Sequence, residues 1–129
     1  MKAFRPFAPA VSLEQVHRLF EVDPLTDMPC MITIGDVREE CRSALPALTH
    51  VNGSARVHTV FARDNSGGHS LLHAVGQKTG WEMVQNTSFH VKGQPIVNTP
   101  RQTIQTFLDT GIHYLFLENF RVSRKGVTL

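Results

Sequence analysis

Apolar residues along the chain switch between a helical and a strand-like period, and the switches divide it into short alternating elements. Leu13, Val16, Leu19 and Phe20 recur at helical spacing behind Ser12 and Gln15, which have the form of a capping box, and Asp23-Pro24 ends the pattern. This predicts a helix over 13–21. Cys30 to Val37 is apolar and β-branched, and Ser54 to Ala62 alternates apolar with small or polar side chains, so both predict strands. Leu71, Leu72, Val75 and Thr79 share a helical face and Gly80 follows as a left-handed C-terminal residue, which predicts a helix over 68–79. A short strand over Trp81 to Gln85 runs into the polar turn Asn86-Thr87-Ser88-Phe89-His90. Thr99 as N-cap, Pro100 at the first helical position and Gln102 three residues after the cap predict a helix over 100–110, with Ile104, Phe107 and Leu108 as its buried stripe and Gly111 at its end. Ile112 to Leu117 reads as a central strand, and Arg121 to Leu129 as a basic tail. Mixed strands and helices without repeats predict an α/β sheet with helices packed on it.

The chain has 129 residues, 41% of them hydrophobic and 19% charged. At this length folding hides roughly 65–70% of the unfolded surface, enough for one domain and too little for a multidomain enzyme. The formal net charge is +2, and no block of like charge forms a nucleic-acid stripe. An anionic small molecule fits this balance better than a polyanion. No apolar run approaches the length of a membrane span, and the first residues lack the apolar core of a signal peptide. Cys30 and Cys41 are not in a Cys-x-x-Cys arrangement, so reduced thiols in a cytoplasm are the expectation.

Common chemical motifs are missing. His69 and His73 stand four apart on the second helix at metal-ligand spacing, but without a third ligand nearby they read as solvent-facing residues, and no metal site is expected. His17, His58 and His113 fall inside element patterns and read as structural. Gly-x-Gly-x-x-Gly and the Walker lysine loop are both absent, and Ser66-Gly67-Gly68 reads as a turn rather than an anion cradle. More informative are Arg5, Arg38 and Arg56 with the Asn86-Thr87-Ser88 turn, each at the edge of a predicted strand. Guanidinium forks match phosphate and carboxylate oxygens, so several that converge would hold an anion without a metal.

Four collinear strings carry a family resemblance: Phe4 to Val11, Leu45 to Val57, Asn86 to Val97, and Thr99-Pro100 with the stretch from Gly111 to Phe120. Together they resemble the C-terminal domain of the NodU/CmcH-type O-carbamoyltransferases over nearly the whole chain. The resemblance implies a single YrdC-like domain over 1–129, a twisted open mixed sheet with helices packed on it, which binds carbamoyl phosphate and ATP to form carbamoyl-adenylate. Magnesium is expected with the ATP, and no tightly bound metal. A larger N-terminal domain of the ASKHA type, in cis or in trans, would pass the carbamoyl group to a hydroxyl acceptor.

Carried over position by position, the resemblance assigns Arg5, Ser88 and His90 to catalysis, and Arg38, Asn52, Arg56 and Asn86 to substrate and nucleotide binding. The family's site lysine would fall before Met1. The family pattern also has Asp where Asn52 stands, Asn where His90 stands, and usually Glu where Gln94 stands. An amide exchanges hydrogen bonds but cannot serve as a base as a carboxylate does. The alternative these substitutions support is a catalytically inactive nucleotide-binding or protein-interaction module derived from that domain.

Overall fold

The computed structural model of the chain describes residues 7–23 and 26–126. They fall into two compact units, one up to Thr87 and one from Ser88 onward.

The first unit is built on a five-stranded sheet. In chain order its elements are β1 (Ala8–Ser12), α1 (Leu13–Leu19), β2 (Phe20–Glu21), β3 (Thr33–Val37), α2 (Glu39–Arg42), β4 (Ser54–Val60), α3 (Ser66–Thr79) and β5 (Met83–Asn86). The strands lie in the order β2-β3-β4-β1-β5, with β1 parallel to β4 and every other neighbouring pair antiparallel. The expected α/β fold with a mixed sheet is the one that forms. Side chains alternate between the two faces of a strand, and the register therefore fixes which residues share a face. One face carries Val11, Val37, Ala55 and Val57, which α1 covers with Val16 and Leu19; Phe20, Met28, Cys41, Leu45 and Leu48 complete this main core. The opposite face carries Ala10, Val60 and Val84, on which Leu72 of α3 packs as a small second cluster.

Three details differ from the periodicity. α1 stops at Leu19 because Phe20 and Glu21 turn extended and pair with Val37 and Asp36. Leu71 is exposed at 57% although Leu72 is buried, since a single side chain suffices to contact the narrow Ala10–Val60–Val84 strip. Ser12 does not cap α1 through its side chain. Fully buried at the end of β1, it donates Oγ–H to Glu82 Oε2 instead, at 2.6 Å.

Glu82 is the centre of a polar clasp that holds α3 to the sheet. Its Oε1 lies 2.9 Å from His73 Nδ1, and one helical turn earlier His69 Nε2 sits 3.1 Å from Glu14 Oε2 at the start of α1. The histidines expected to face solvent thus each meet a carboxylate, and among the described residues no group of side chains is arranged to hold a metal ion. Gly80 ends α3 with φ +83, as the sequence predicts. Gly76 serves the clasp by close approach, because a Cβ there would fall 2.3 Å from Glu82 Cγ and 3.3 Å from Glu82 Cα. Alanine at an exposed helix position normally stabilises by about 1 kcal/mol over glycine. Gly76→Ala is expected to reverse that sign, lowering stability by about 1 kcal/mol in a denaturant titration, because it displaces the Glu82 backbone.

The second unit contains α4 (Pro100–Asp109) and the hairpin of β6 (Tyr114–Leu117) and β7 (Phe120–Ser123). Thr99 Oγ1 accepts from Gln102 N, as expected of the N-cap, and Gln102 Oε1 accepts from the preceding Asn98 N. Of the expected stripe only Phe107 is buried; Ile104 and Leu108 are exposed. β6 is not a central strand, for among the described residues it pairs with β7 alone. Nor is the stretch after Phe120 a tail: Arg121 to Ser123 complete the hairpin, and the Arg124 guanidinium donates to the carbonyls of Phe107, Leu108, Thr110 and Ile112. A cation there satisfies the carbonyls that the end of α4 leaves without amide partners. None of the helices among the described residues is long and apolar enough to cross a membrane.

Candidate functional site

α3 covers only part of its face of the sheet. On the same face the register places Ile34 and Asp36 of β3, Arg56 and His58 of β4, and Asn86 of β5, beyond the Ala10–Val60–Val84 strip. Ile34 is 62% exposed, Asp36 is exposed, and Arg56, His58 and Asn86 are half-buried. Between β4 and β5 the floor of this region is β1, which contributes Ala8 and Ala10. Two strand spacings separate β4 from β5, roughly 9–10 Å. Ala8 and Ala10 between them are themselves buried, 1% and 7% exposed, and on their face His58 Nδ1 and Asn86 Nδ2 approach to 3.5 Å.

Arg56 is the chief charge of this region. It stands directly opposite Ile34 in the β3–β4 register and makes no hydrogen bond or ion pair with any described residue. A half-buried guanidinium has lost part of its hydration and retains five donors, so it favours an anion that supplies the missing acceptors.

The other sequence-derived candidates are placed as follows. Asn86 shares the face of Arg56. Asn52 lies in the turn before β4, where its Oδ1 accepts from Ser54 N at 3.2 Å and from Ser54 Oγ at 2.8 Å. Its carbonyl is committed to shaping the start of β4, and His50 Nδ1 adds a contact to the same Ser54 hydroxyl at 3.1 Å. Arg38 donates Nε–H to the His17 carbonyl of α1 at 2.7 Å, on the side of the sheet that α1 covers. The fold therefore directs Arg38 and Arg56 to different elements. Ser88 and His90 belong to the second unit, where both are exposed and His90 Nδ1 lies 3.1 Å from the Val91 carbonyl. Their loop is closed by Val97 N donating to Phe89 O. Arg5 lies outside the described residues. Ser66-Gly67-Gly68, expected as a turn before the helix, instead forms the first turn of α3, and Asn65 as N-cap accepts from Gly68 N through its Oδ1. His58, read from the sequence as structural, is the residue of this face that the motifs missed; its signal is the period-2 alternation that sets Ser54, Arg56, His58 and Val60 on one side of β4.

The comparison with known proteins agrees with this architecture in one respect that decides the family. The family model of the carbamoyltransferase C-terminus matches residues 1–124. The chain belongs to the carbamoyltransferase C-terminal family. It is 34% identical to the nodulation protein NolNO of Sinorhizobium fredii over 125 residues, covering 96% of this chain and 18% of that protein. With the 3'-hydroxymethylcephem-O-carbamoyltransferase of Amycolatopsis lactamdurans it shares 38% identity over 95 residues, 74% of this chain and 18% of the relative. An uncharacterized protein of Synechocystis sp. is 38% identical over 143 residues, 95% of this chain and 23% of its own length. The chain thus spans about a fifth of the length of these relatives. The resemblance carried by the four strings is borne out, and in this carbamoyltransferase C-terminal chain the Arg56 face is the open, charged half of the sheet.

Proposed function

We propose that this chain is the part of an O-carbamoyltransferase that binds ATP and carbamoyl phosphate and forms carbamoyl-adenylate, with the nucleotide or phosphate anion held on the Arg56 face. The observation that carries the reading is the half-buried Arg56 guanidinium, without a hydrogen bond or ion pair to any described residue, on the sheet face that α3 covers only in part, in a chain of this family. A phosphoryl oxygen pair would complete its fork, and each charge-assisted contact contributes roughly 1.5–3 kcal/mol. Asn86 supplies an amide that both donates and accepts, suited to a carbamoyl group. Formation of the adenylate consumes one water and releases pyrophosphate from ATP and phosphate from carbamoyl phosphate. The residues of this face assist by binding and orientation.

Magnesium fits here as the counter-ion of ATP. Asp36 of β3 and Glu21 of β2, partners in the register, are exposed carboxylates on this face, and one or two carboxylates together with triphosphate oxygens suit an ion that keeps several of its waters. Transfer to a hydroxyl acceptor belongs, in this reading, to an N-terminal domain of the ASKHA type in the cytoplasm. Arg5, Arg38, Ser88 and His90 stay in the proposal as carried-over candidates, with Arg38 the least favoured because its Nε–H is already bonded to a backbone carbonyl.

Isothermal titration of the chain with ATP and with carbamoyl phosphate tests the reading. Association entropy absorbs roughly 4–15 kcal/mol of contact energy, so the expected dissociation constants are about millimolar, and no acceptor is carbamoylated by the chain alone. Silence at several millimolar of both ligands would favour the inactive interaction module. Acceptor-dependent turnover by the chain alone would overturn the division of labour between two domains.

A further inference from the structure

His58 has the position and the hydrogen-bond state of a ligand donor rather than of a core histidine. Its ring stands on the open face two residues along β4 from Arg56, half-buried above the Ala8–Ala10 floor. Asn86 reaches it across that floor with Nδ2, 3.5 Å from Nδ1. With the Asn86 amide nitrogen donating in this orientation, Nδ1 would accept and Nε2 would carry the ring N–H. Nε2 has no partner among the described residues. That arrangement would leave the Nε2–H available to a ligand.

The spacing suits a phosphoryl group. Residues two apart on a strand set their side chains roughly 6.5–7 Å from each other on one face. Two donors that each approach a different oxygen of one phosphate at about 2.8 Å stand a comparable distance apart. Asp36 on β3, with Glu21 as its partner on β2, lies beside Ser54 in the register and not beside His58, and among the described residues no carboxylate is bonded to the His58 ring.

We propose that His58 is a second anion-binding residue of this face, donating Nε2–H to a phosphoryl oxygen that Arg56 also holds, with Asn86 as the positioning residue that sets its tautomer. The inference rests on the proposed ATP and carbamoyl phosphate binding and adds a residue that the family strings do not supply.

The test compares wild type, His58→Phe and His58→Gln by calorimetric titration with ATP, carbamoyl phosphate and inorganic phosphate, beside nitrogen-15 spectra of the histidine rings. Phenylalanine keeps the planar bulk without a donor, and affinity is expected to fall about fivefold to twentyfold. Glutamine keeps a donor within reach and is expected to stay within about threefold of wild type. A purely structural role would instead appear as equal melting shifts with unaltered affinity. Loss confined to ATP assigns the contact to the nucleotide's phosphates, and loss confined to carbamoyl phosphate and inorganic phosphate assigns it to the carbamoyl donor. A wild type that binds while His58→Phe binds equally well overturns the inference and leaves the binding reading standing. A ring protonated on Nδ1 overturns it whether or not the variants fold. A wild type that binds none of the three ligands overturns the binding reading and the inference with it.

Discussion

Arg56→Ala is expected to lower the affinity of the chain for ATP and carbamoyl phosphate by about tenfold to a hundredfold, the loss of one or two charge-assisted hydrogen bonds. Its melting temperature should hold or rise. The pairing of the two outcomes follows from the surroundings of the side chain. The Arg56 side chain makes no hydrogen bond or ion pair with a described residue, so its removal breaks no such bond among them and relieves a partly desolvated charge. Arg56→Lys should recover part of the affinity, since an ammonium supplies charge without the planar fork. Arg38→Ala provides the contrast. Its Nε–H bonds the last turn of α1, so that variant should lose stability and retain most of the binding. Titration calorimetry and thermal melts on the same three proteins check both halves. An Arg56→Ala protein that binds as tightly as wild type would move the anion site off this face.

Glu82→Ala is expected to destabilise the first unit by about 2–3 kcal/mol in denaturant titration, more than an ordinary surface substitution. Its carboxylate, 16% exposed, takes the hydroxyl proton of a fully buried Ser12 and faces His73 on α3. Truncation leaves the Ser12 hydroxyl in the interior without a partner and releases α3 from one of its two histidine contacts. The same group makes stability sensitive to acid. The Ser12 hydrogen bond first, with that of His73 and the charges of His73 and His69, holds the Glu82 carboxyl below its ordinary value of 4.5, against the opposing effect of burial. A carboxyl depressed in the folded state contributes stability that is complete above its unfolded value and is lost as pH falls through the folded one. The chain should therefore lose stability as pH is taken from about 5 downward, and Glu82→Gln should flatten that decline. Urea titrations of both proteins between pH 3 and pH 6 measure it. An identical pH slope in the two would remove Glu82 as its source.

Local chemistry was legible residue by residue. Thr99, Pro100 and Gln102 specify the start of α4 within five residues of chain, and Gly80 specifies the end of α3 by the left-handed backbone that only glycine adopts without strain. The four strings that reveal the carbamoyltransferase C-terminal family are likewise present in the sequence, as is the alternation that sets Arg56 and His58 on one side of β4. What the sequence could not contain is which side that would be. Whether the Arg56 side is open depends on α3 covering Ala10, Val60 and Val84 while Ile34 stays uncovered, and on β1 inserting itself beside a β4 whose sequence lies more than forty residues away. The same distance hid Ser12's true partner: a local cap and a half-buried carboxylate 70 residues downstream compete for one hydroxyl, and packing decides between them. Ile112 to Leu117 looked central because it is apolar, but centrality is a property of the neighbouring strands. Capping, turn and periodic signals act through neighbours along the chain, so the sequence by itself determined the longer helices, the main strands and the family, but not β2, α2 or β7. Strand order, the exposed face and the pairing of Glu82 with Ser12 and His73 join residues remote in sequence, and only the tertiary structure decided them.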